Sequence, residues 1–186
     1  YHHLLKGDGS VVSVAAGFDT VSIEKLIGET ALVRIMPNLP VQIGKGVSAL
    51  YANQRVTSTH RERVTNLMNS TGKLSWVETE DDIDRVTAVA GSGPGYTFEI
   101  ARCWAQAAQD LGFSPTDARE LVLKTIAGSI ELALGCTTPL DELRDGVTSK
   151  NGTTAAGLAA LNLNAGLDEL LQNTVDAAYA RAVELR

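Results

Sequence analysis

The spacing of hydrophobic positions along the chain changes near residue 80. Before that point, short β-branched runs alternate with helical segments, and Gly or Pro residues separate them. The pattern predicts strands at 11–16, 31–36, 45–52 and 76–78, and helices at 22–27 and 61–70. We expect Ser22 to cap the first helix and Gly28 to end it. Strands that alternate with helices predict a mainly parallel sheet covered on both faces.

From Glu80 onward the hydrophobic positions have helical spacing throughout. We predict a long helix that ends at Gly112, then helices at 116–134, 140–144, 154–163 and from 167 to near the C-terminus. Two of them begin with a hydroxyl residue and a proline, Ser114-Pro115 and Thr138-Pro139. In both, we expect the hydroxyl to cap the helix and proline to take its first position.

The predicted helix at 154–163 has no polar face, because Ala155–Leu161 contains only Ala, Gly and Leu. Such a helix must be buried all round, and the remaining helices are too few to enclose it alone. We therefore expect a partner subunit to cover it. The alternative is a central helix in a monomeric bundle.

Composition narrows the classes of function. The 186 residues are 44% hydrophobic, which is enough for a core, and the net charge of −6 without a basic block argues against a nucleic-acid partner. No apolar run is long enough to span a membrane, and residues 1–8 lack the apolar core of a signal peptide, so we expect a cytoplasmic protein. We interpret Cys103 and Cys136 as buried free thiols, with a disulfide or metal pair as the alternative, and predict no metal site.

Three glycine- or hydroxyl-rich turns are candidates for ligand binding. Gly7–Gly9 has no strand before it and no helix after it, so we interpret it as a simple turn. Gly91–Gly95 lacks the lysine of a phosphate-binding loop and predicts a close helix crossing instead. The third turn places Ser149, Thr153 and Thr154 at the start of the apolar helix, where backbone N–H groups attract a carboxylate or a phosphate. An ordinary helix cap is the alternative.

Three segments in this order resemble pyrroline-5-carboxylate reductases: Val33–Pro40 (VRIMPNLP), Thr87–Tyr96 (TAVAGSGPGY) and Leu143–Leu161 (LRDGVTSKNGTTAAGLAAL). The resemblance extends from Val11 to the last helix. It implies an α/β partial Rossmann domain at residues 1–79, followed by an all-α helical dimerisation domain at 80–186. By this comparison the phosphate-binding Gly-rich turn of the Rossmann domain is absent from the chain.

The resemblance also implies an activity and an assembly. Family members reduce 1-pyrroline-5-carboxylate to L-proline with NADPH or NADH, in the last step of proline biosynthesis. They form homodimers, and the dimers often assemble into decamers. Two alternatives remain: a non-catalytic dimerisation fragment, or a hydroxyacid dehydrogenase with Lys124 or Lys150 as its helical-domain lysine.

Site residues follow from the resemblance position by position. It implies that the substrate carboxylate meets Ser149, Gly152, Thr153 and Thr154, and that the Thr154 hydroxyl donates a hydrogen bond to the ring nitrogen. Two further residues border the substrate pocket, Glu80 and Gly146. For Glu80 a solvated acidic run is the alternative. The resemblance places the cofactor against Val14, Ala15, Ala16, Pro37 and Asn38.

This chain departs from the family pattern at several positions. Lys150-Asn151 stands where relatives commonly have Pro-Gly, and we expect the turn to survive because Asn tolerates a positive φ. We expect Lys150 itself to be exposed. Gly146 falls where many relatives have a polar side chain, and Leu39 replaces a usual threonine.

Overall fold

The computed structural model describes residues 8–186 and divides into two compact units. The first unit contains the chain up to Pro94 together with Thr174–Arg186, and the second contains Gly95–Asn173. Residue 7 of the predicted Gly7–Gly9 turn and most of the N-terminal segment lie outside the described residues. No helix within residues 8–186 has the length and apolar character needed to cross a membrane.

The first unit is an α/β structure. Its elements are β1 (Val11–Ser13), α1 (Thr20–Ile27), β2 (Leu32–Pro37), β3 (Gly46–Ala52), α2 (Ser58–Met68), β4 (Gly72–Val77) and α3 (Glu80–Val86), followed by a π-helical turn at Thr87–Gly91. Strand β1 is three residues shorter than predicted, and β4 begins four residues earlier.

The four strands form one sheet in the order β1-β2-β3-β4. β1 pairs with β2, and β3 with β4, in parallel, as the alternation of strands and helices predicted. The central pair differs, because β2 and β3 run antiparallel with Ile35 opposite Leu50. Only a short 3₁₀ turn, Leu39–Ile43, joins these two strands, and a parallel crossover needs a dozen residues or more.

Both faces of β2 are covered. Val33 and Ile35 form a buried cluster with Leu50 of β3 and Val64 of α2. Arg34 points the other way and reaches Glu80 at the start of α3, since successive side chains of a strand face opposite sides. Burial on both faces explains why β2 is a continuous hydrophobic run broken only by that arginine.

Helix caps in the first unit differ from the sequence prediction at one position. Asp19, not Ser22, caps α1, and its carboxylate accepts a hydrogen bond of 2.6 Å from the Ser22 backbone N–H. The helix therefore begins at Thr20, one turn of chain earlier than Ser22 suggested, because an aspartate three residues upstream satisfies the open N–H groups. Gly28 ends the helix as predicted, with φ of 86°.

The remaining helices follow the predicted order. They are α4 (Gly93–Asp110), α5 (Pro115–Leu134), α6 (Leu140–Gly146), α7 (Thr153–Leu161) and α8 (Gly166–Glu184). Ser114 caps α5 through its hydroxyl, as predicted. The prediction for Thr138 was wrong, because Pro139 occupies the N-cap of α6 and no side chain caps that helix.

The second unit buries few side chains. Among its described residues only Ala101, Ala118 and Val122 are both hydrophobic and buried. Helix α7 contains no buried residue at all, although its sequence is entirely apolar after Thr154. Both cysteines are free thiols, but they are exposed rather than buried: Cys103 lies on an uncovered face of α4, and Cys136 lies in the loop after α5.

Candidate functional site

The start of α7 is open to a ligand. Gly152 occupies the N-cap position, so Thr153 and Thr154 are the first two residues of the helix, and no side chain caps it. Both threonines are exposed. The cap interpretation of Thr154 is therefore wrong, because the residue lies inside the helix. The first N–H groups of a helix without a side-chain cap carry partial positive charge and favour an anion.

The turn before α7 has the tight geometry that its sequence predicted. Asn151 has a φ of 61°, which confirms that asparagine takes the left-handed conformation at this position. The Gly152 N–H donates to the Ser149 carbonyl at 3.0 Å. A side chain at Gly152 would collide with the Ser149 hydroxyl, so the glycine lets that hydroxyl lie directly beside the helix start. Lys150 is exposed, as expected.

A second candidate surface lies at one edge of the sheet. Val14, Ala15 and Ala16 follow β1, and Pro37 ends the neighbouring parallel strand β2. The side chains at 14–16 are exposed, and Val14 is 62% accessible. Ligands of open α/β sheets bind outside the carboxyl ends of parallel strands, so these small side chains fit a cofactor that approaches closely.

The Asn38 side chain supports this edge rather than facing open space. Its amide nitrogen donates to the Ala90 carbonyl at 3.0 Å, and its amide oxygen accepts from the Val47 N–H at 2.8 Å. Asn38 therefore ties the end of β2 to β3 and to the π-helical turn.

Glu80 has two partners within the first unit. One carboxylate oxygen accepts from the Thr20 N–H at 2.8 Å, and the other pairs with the Arg34 guanidinium at 2.7 Å. Arg34 is only 3% exposed and Glu80 is 17% exposed, so a buried guanidinium and a largely covered carboxylate join α3 to β2 and to the start of α1. The predicted contact of Glu80 with the substrate stays a prediction.

The acidic residues at 80–82 each have defined partners, although Asp81 and Asp82 remain partly exposed. Asp82 forms a capping box with Thr79, and the hydrogen bond from Thr79 is the main reason that the pKa of Asp82 lies below its usual value. Asp81 accepts a hydrogen bond of 2.6 Å from the Tyr179 hydroxyl and pairs with Arg85 at 2.7 Å. The Tyr179 pKa is raised, chiefly by that hydrogen bond.

The buried carboxylate one turn further along α3, Asp84, was not predicted from the sequence. Asp84 is 2% exposed, and burial raises its pKa. Its partner is Arg186, whose Nε lies 2.9 Å from a carboxylate oxygen, in an ionic contact that is not aligned as a hydrogen bond. A sequence clue existed, because Asp84 directly follows the apolar Ile83 in a short helix, and both residues are buried.

The predicted site residues fall into two groups. Six belong to the first unit: Val14, Ala15, Ala16, Pro37, Asn38 and Glu80. Five belong to the second: Gly146, Ser149, Gly152, Thr153 and Thr154. Gly146 ends α6, and a Cβ added there would meet nothing within 4 Å. A groove of about 360 Å³ between α4 and α5 contains none of these residues.

Comparisons with known proteins identify the family that the chain resembles. The family model described as pyrroline-5-carboxylate reductase dimerisation matches residues 80–185. A pyrroline-5-carboxylate reductase of Pseudomonas aeruginosa is 38% identical over 97% of this chain, which spans 66% of that relative's length. The corresponding reductase of Vibrio alginolyticus is 37% identical over 94% of this chain, which spans 65% of its length.

Solved structures show the same likeness in three dimensions. A pyrroline-5-carboxylate reductase from Coxiella burnetii has a TM-score of 0.91 at 34% identity. The match covers 99% of this chain and 68% of the Coxiella chain. The Plasmodium falciparum pyrroline carboxylate reductase with NADP bound has a TM-score of 0.87 at 31% identity. The match covers 94% of this chain and 70% of the Plasmodium chain.

Fold and comparisons together define a chain that joins part of a Rossmann-like α/β domain to an all-α dimerisation domain. The chain belongs to the pyrroline-5-carboxylate reductase family.

Proposed function

We propose that this chain carries the substrate-binding part of an enzyme that reduces 1-pyrroline-5-carboxylate to L-proline with NADPH or NADH. The observation that carries the proposal is the open start of α7, where exposed Thr153 and Thr154 stand beside backbone N–H groups without a side-chain cap. A substrate with one carboxylate on a small ring needs such an anion site.

Thr154 has a separate role in this proposal. Its hydroxyl donates a hydrogen bond to the ring nitrogen, the atom that becomes the amine of the product, and this hydrogen bond makes the C=N carbon easier to reduce. Ser149, Gly152 and Thr153 bind the carboxylate, and Gly146 and Glu80 belong to the proposal as further substrate contacts. A threonine hydroxyl is a weak acid, so it orients and polarises the imine rather than delivering a free proton.

The carboxyl edge of β1 and β2 fits a nicotinamide cofactor. Val14, Ala15 and Ala16 are exposed and small enough for close approach, and Pro37 and Asn38 lie at the end of the adjacent strand. The cofactor, when bound, supplies the hydride. The division at residue 79 into cofactor-binding and substrate-binding domains belongs to this proposal, as do a cytoplasmic location and assembly into dimers and decamers.

Substitution of Thr154 tests the catalytic role. We expect a fusion of this chain to the first part of the nucleotide-binding domain of a full-length relative to form proline from 1-pyrroline-5-carboxylate. In that fusion, Thr154→Ala should lower kcat about a hundredfold, the scale of one well-placed general acid–base or hydrogen-bonding group. Thr154→Ser keeps the hydroxyl and should retain most of the activity. Equal kcat values for the Ala variant and the wild type would exclude the role.

A second candidate function is a non-catalytic dimerisation unit. It is favoured by the family model described as pyrroline-5-carboxylate reductase dimerisation, which matches residues 80–185. The test is a fluorescence titration of the 186-residue chain with NADPH and NADH. We expect no measurable binding by the chain alone, and a micromolar dissociation constant would show that its cofactor site is already complete.

A further inference from the structure

The turn that follows β1 lies against Leu185, the residue that follows α8. Gly17 in this turn has a φ of 74°, and a Cβ added there would lie 2.7 Å from the Leu185 carbonyl oxygen. Real Cβ atoms do not approach a backbone oxygen so closely, so only glycine permits this contact. We call residues 179–186 the α8 end.

The α8 end is anchored to α3 at two points. The Tyr179 hydroxyl donates to Asp81 at 2.6 Å, and Arg186 pairs with the buried Asp84 at 2.9 Å. Arg186 also lies 3.8 Å from Asp81. These anchors flank Leu185, the residue whose carbonyl lies beside Gly17.

Helix α3 also holds the far side of the same turn. Glu80 accepts from the Thr20 N–H, directly after Asp19, which caps α1. Residues 14–19 are thus bounded by Glu80 on one side and by the α8 end on the other. Val14–Ala16, the proposed cofactor contacts, lie immediately before the Gly17 contact, so a shift of the α8 end displaces them.

We infer that the α8 end positions the cofactor edge, which consists of the proposed cofactor contacts Val14–Ala16. Tyr179 and Arg186 are the positioning residues, because their contacts with α3 hold Leu185 against Gly17. The inference rests on the proposed function only in naming the cofactor as the ligand of this edge. The contact itself, and its effect on residues 14–18, can be measured without any turnover.

Hydrogen–deuterium exchange of the 186-residue chain tests the contact. We expect Arg186→Ala to raise early deuterium uptake in residues 14–18 about threefold, because local opening follows the loss of local contacts. Tyr179→Phe is a milder variant that keeps the ring and should raise uptake less. Arg181→Ala is the matched control, since Arg181 pairs with Glu184 at an exposed position of the same helix. Uptake equal in the Arg186 and Arg181 variants would overturn the inference.

Kinetics of the catalytically complete fusion test the consequence. We expect Gly17→Ala to raise the KM for NADPH about tenfold and to leave the KM for 1-pyrroline-5-carboxylate within about twofold, as a small displacement confined to the cofactor edge requires. Gly112→Ala is the control, because Gly112 has a φ of 101° but nothing within 4 Å of an added Cβ. A rise in both KM values, or in neither, would contradict the positioning role. If the wild-type fusion is inactive, the proposed function fails, and hydrogen exchange still decides the contact.

Discussion

The two units of the chain use similar hydrophobic content in different ways. In the first unit, Leu32, Val33 and Leu50 are completely inaccessible, and even the charged Arg34 is 3% exposed. In the second unit, Leu161 at the end of α7 is 50% exposed, and Phe98 and Trp104 of α4 are exposed as well. The sheet and its helices enclose a core by themselves, whereas the helices of the second unit present apolar surface outward.

The difference shows that an apolar segment does not determine its own burial. β2 and α7 are both almost free of charge, but β2 has a neighbouring strand on each side and helices over both faces. α7 contains no buried residue in one chain. Exposed apolar surface of this extent marks an interaction site, and the matching family model is a dimerisation domain. We therefore expect the second unit, and not the first, to depend on a second subunit.

A charge on α7 gives the largest expected effect. Ala160→Glu places a carboxylate on the exposed apolar helix, and burying it in a subunit interface is strongly unfavourable. We expect light scattering to show a dimer or larger assembly for the wild type and a monomer for the variant. Ala160→Ser keeps a small neutral side chain and should assemble normally. A monomeric wild type would show that the apolar helix needs no partner.

Matched ion pairs in the two units come next. The pairs Arg34–Glu80 and Arg102–Glu99 have the same 2.7 Å separation, but only the first is buried. Glu80→Ala leaves a buried guanidinium without its partner and should lower the free energy of unfolding by about 3 kcal/mol. Glu99→Ala removes an exposed pair and should leave the urea midpoint unchanged within error. Equal losses would mean that burial does not distinguish the units.

Asn53 provides a smaller test of the first unit. Its amide oxygen accepts from the Leu32 N–H at 3.1 Å, and its amide nitrogen donates to Glu24 and to the Thr30 carbonyl at 2.8 Å each. Asn53→Ala leaves buried backbone groups unpaired and should cost about 2 kcal/mol in urea unfolding. Asn66→Ala, on the exposed side of α2, should stay within about 0.5 kcal/mol of the wild type.

The smallest expected effect is at the cap of α1 and depends on pH. The pKa of Asp19 is lowered, chiefly by the hydrogen bond with Ser22. A carboxyl whose pKa is lower in the folded state stabilises the fold above the unfolded pKa, and this contribution is lost as the pH falls through the folded pKa. Asp19→Ala should therefore cost about 1 kcal/mol at neutral pH. In urea unfolding at several pH values, the difference from the wild type should shrink at acidic pH. A difference independent of pH would show that the carboxylate charge plays no part.

Local signals in the sequence were enough for much of the fold. The helices from α4 to α8 follow from helical spacing and from stops such as Gly112 and Gly135, and the left-handed Asn151 follows from its residue type. The antiparallel β2–β3 pair and the Asp19 cap were not predicted. The strand direction depends on the short turn between β2 and β3, and the cap depends on whether Asp19 or Ser22 accepts from the first N–H groups of α1. The Gly17–Leu185 and Asp84–Arg186 contacts join residues more than a hundred positions apart, and no local pattern encodes such contacts.

The two glycines near the start of α7 have opposite consequences for protein engineering. Position 152 is crowded, because an added Cβ would displace the Ser149 hydroxyl and lie 3.1 Å from the Ser149 carbonyl oxygen. Position 146 is open, since an added Cβ has no neighbour within 4 Å and the backbone is helical. Variation of the proposed substrate site should therefore begin at position 146 and leave position 152 untouched.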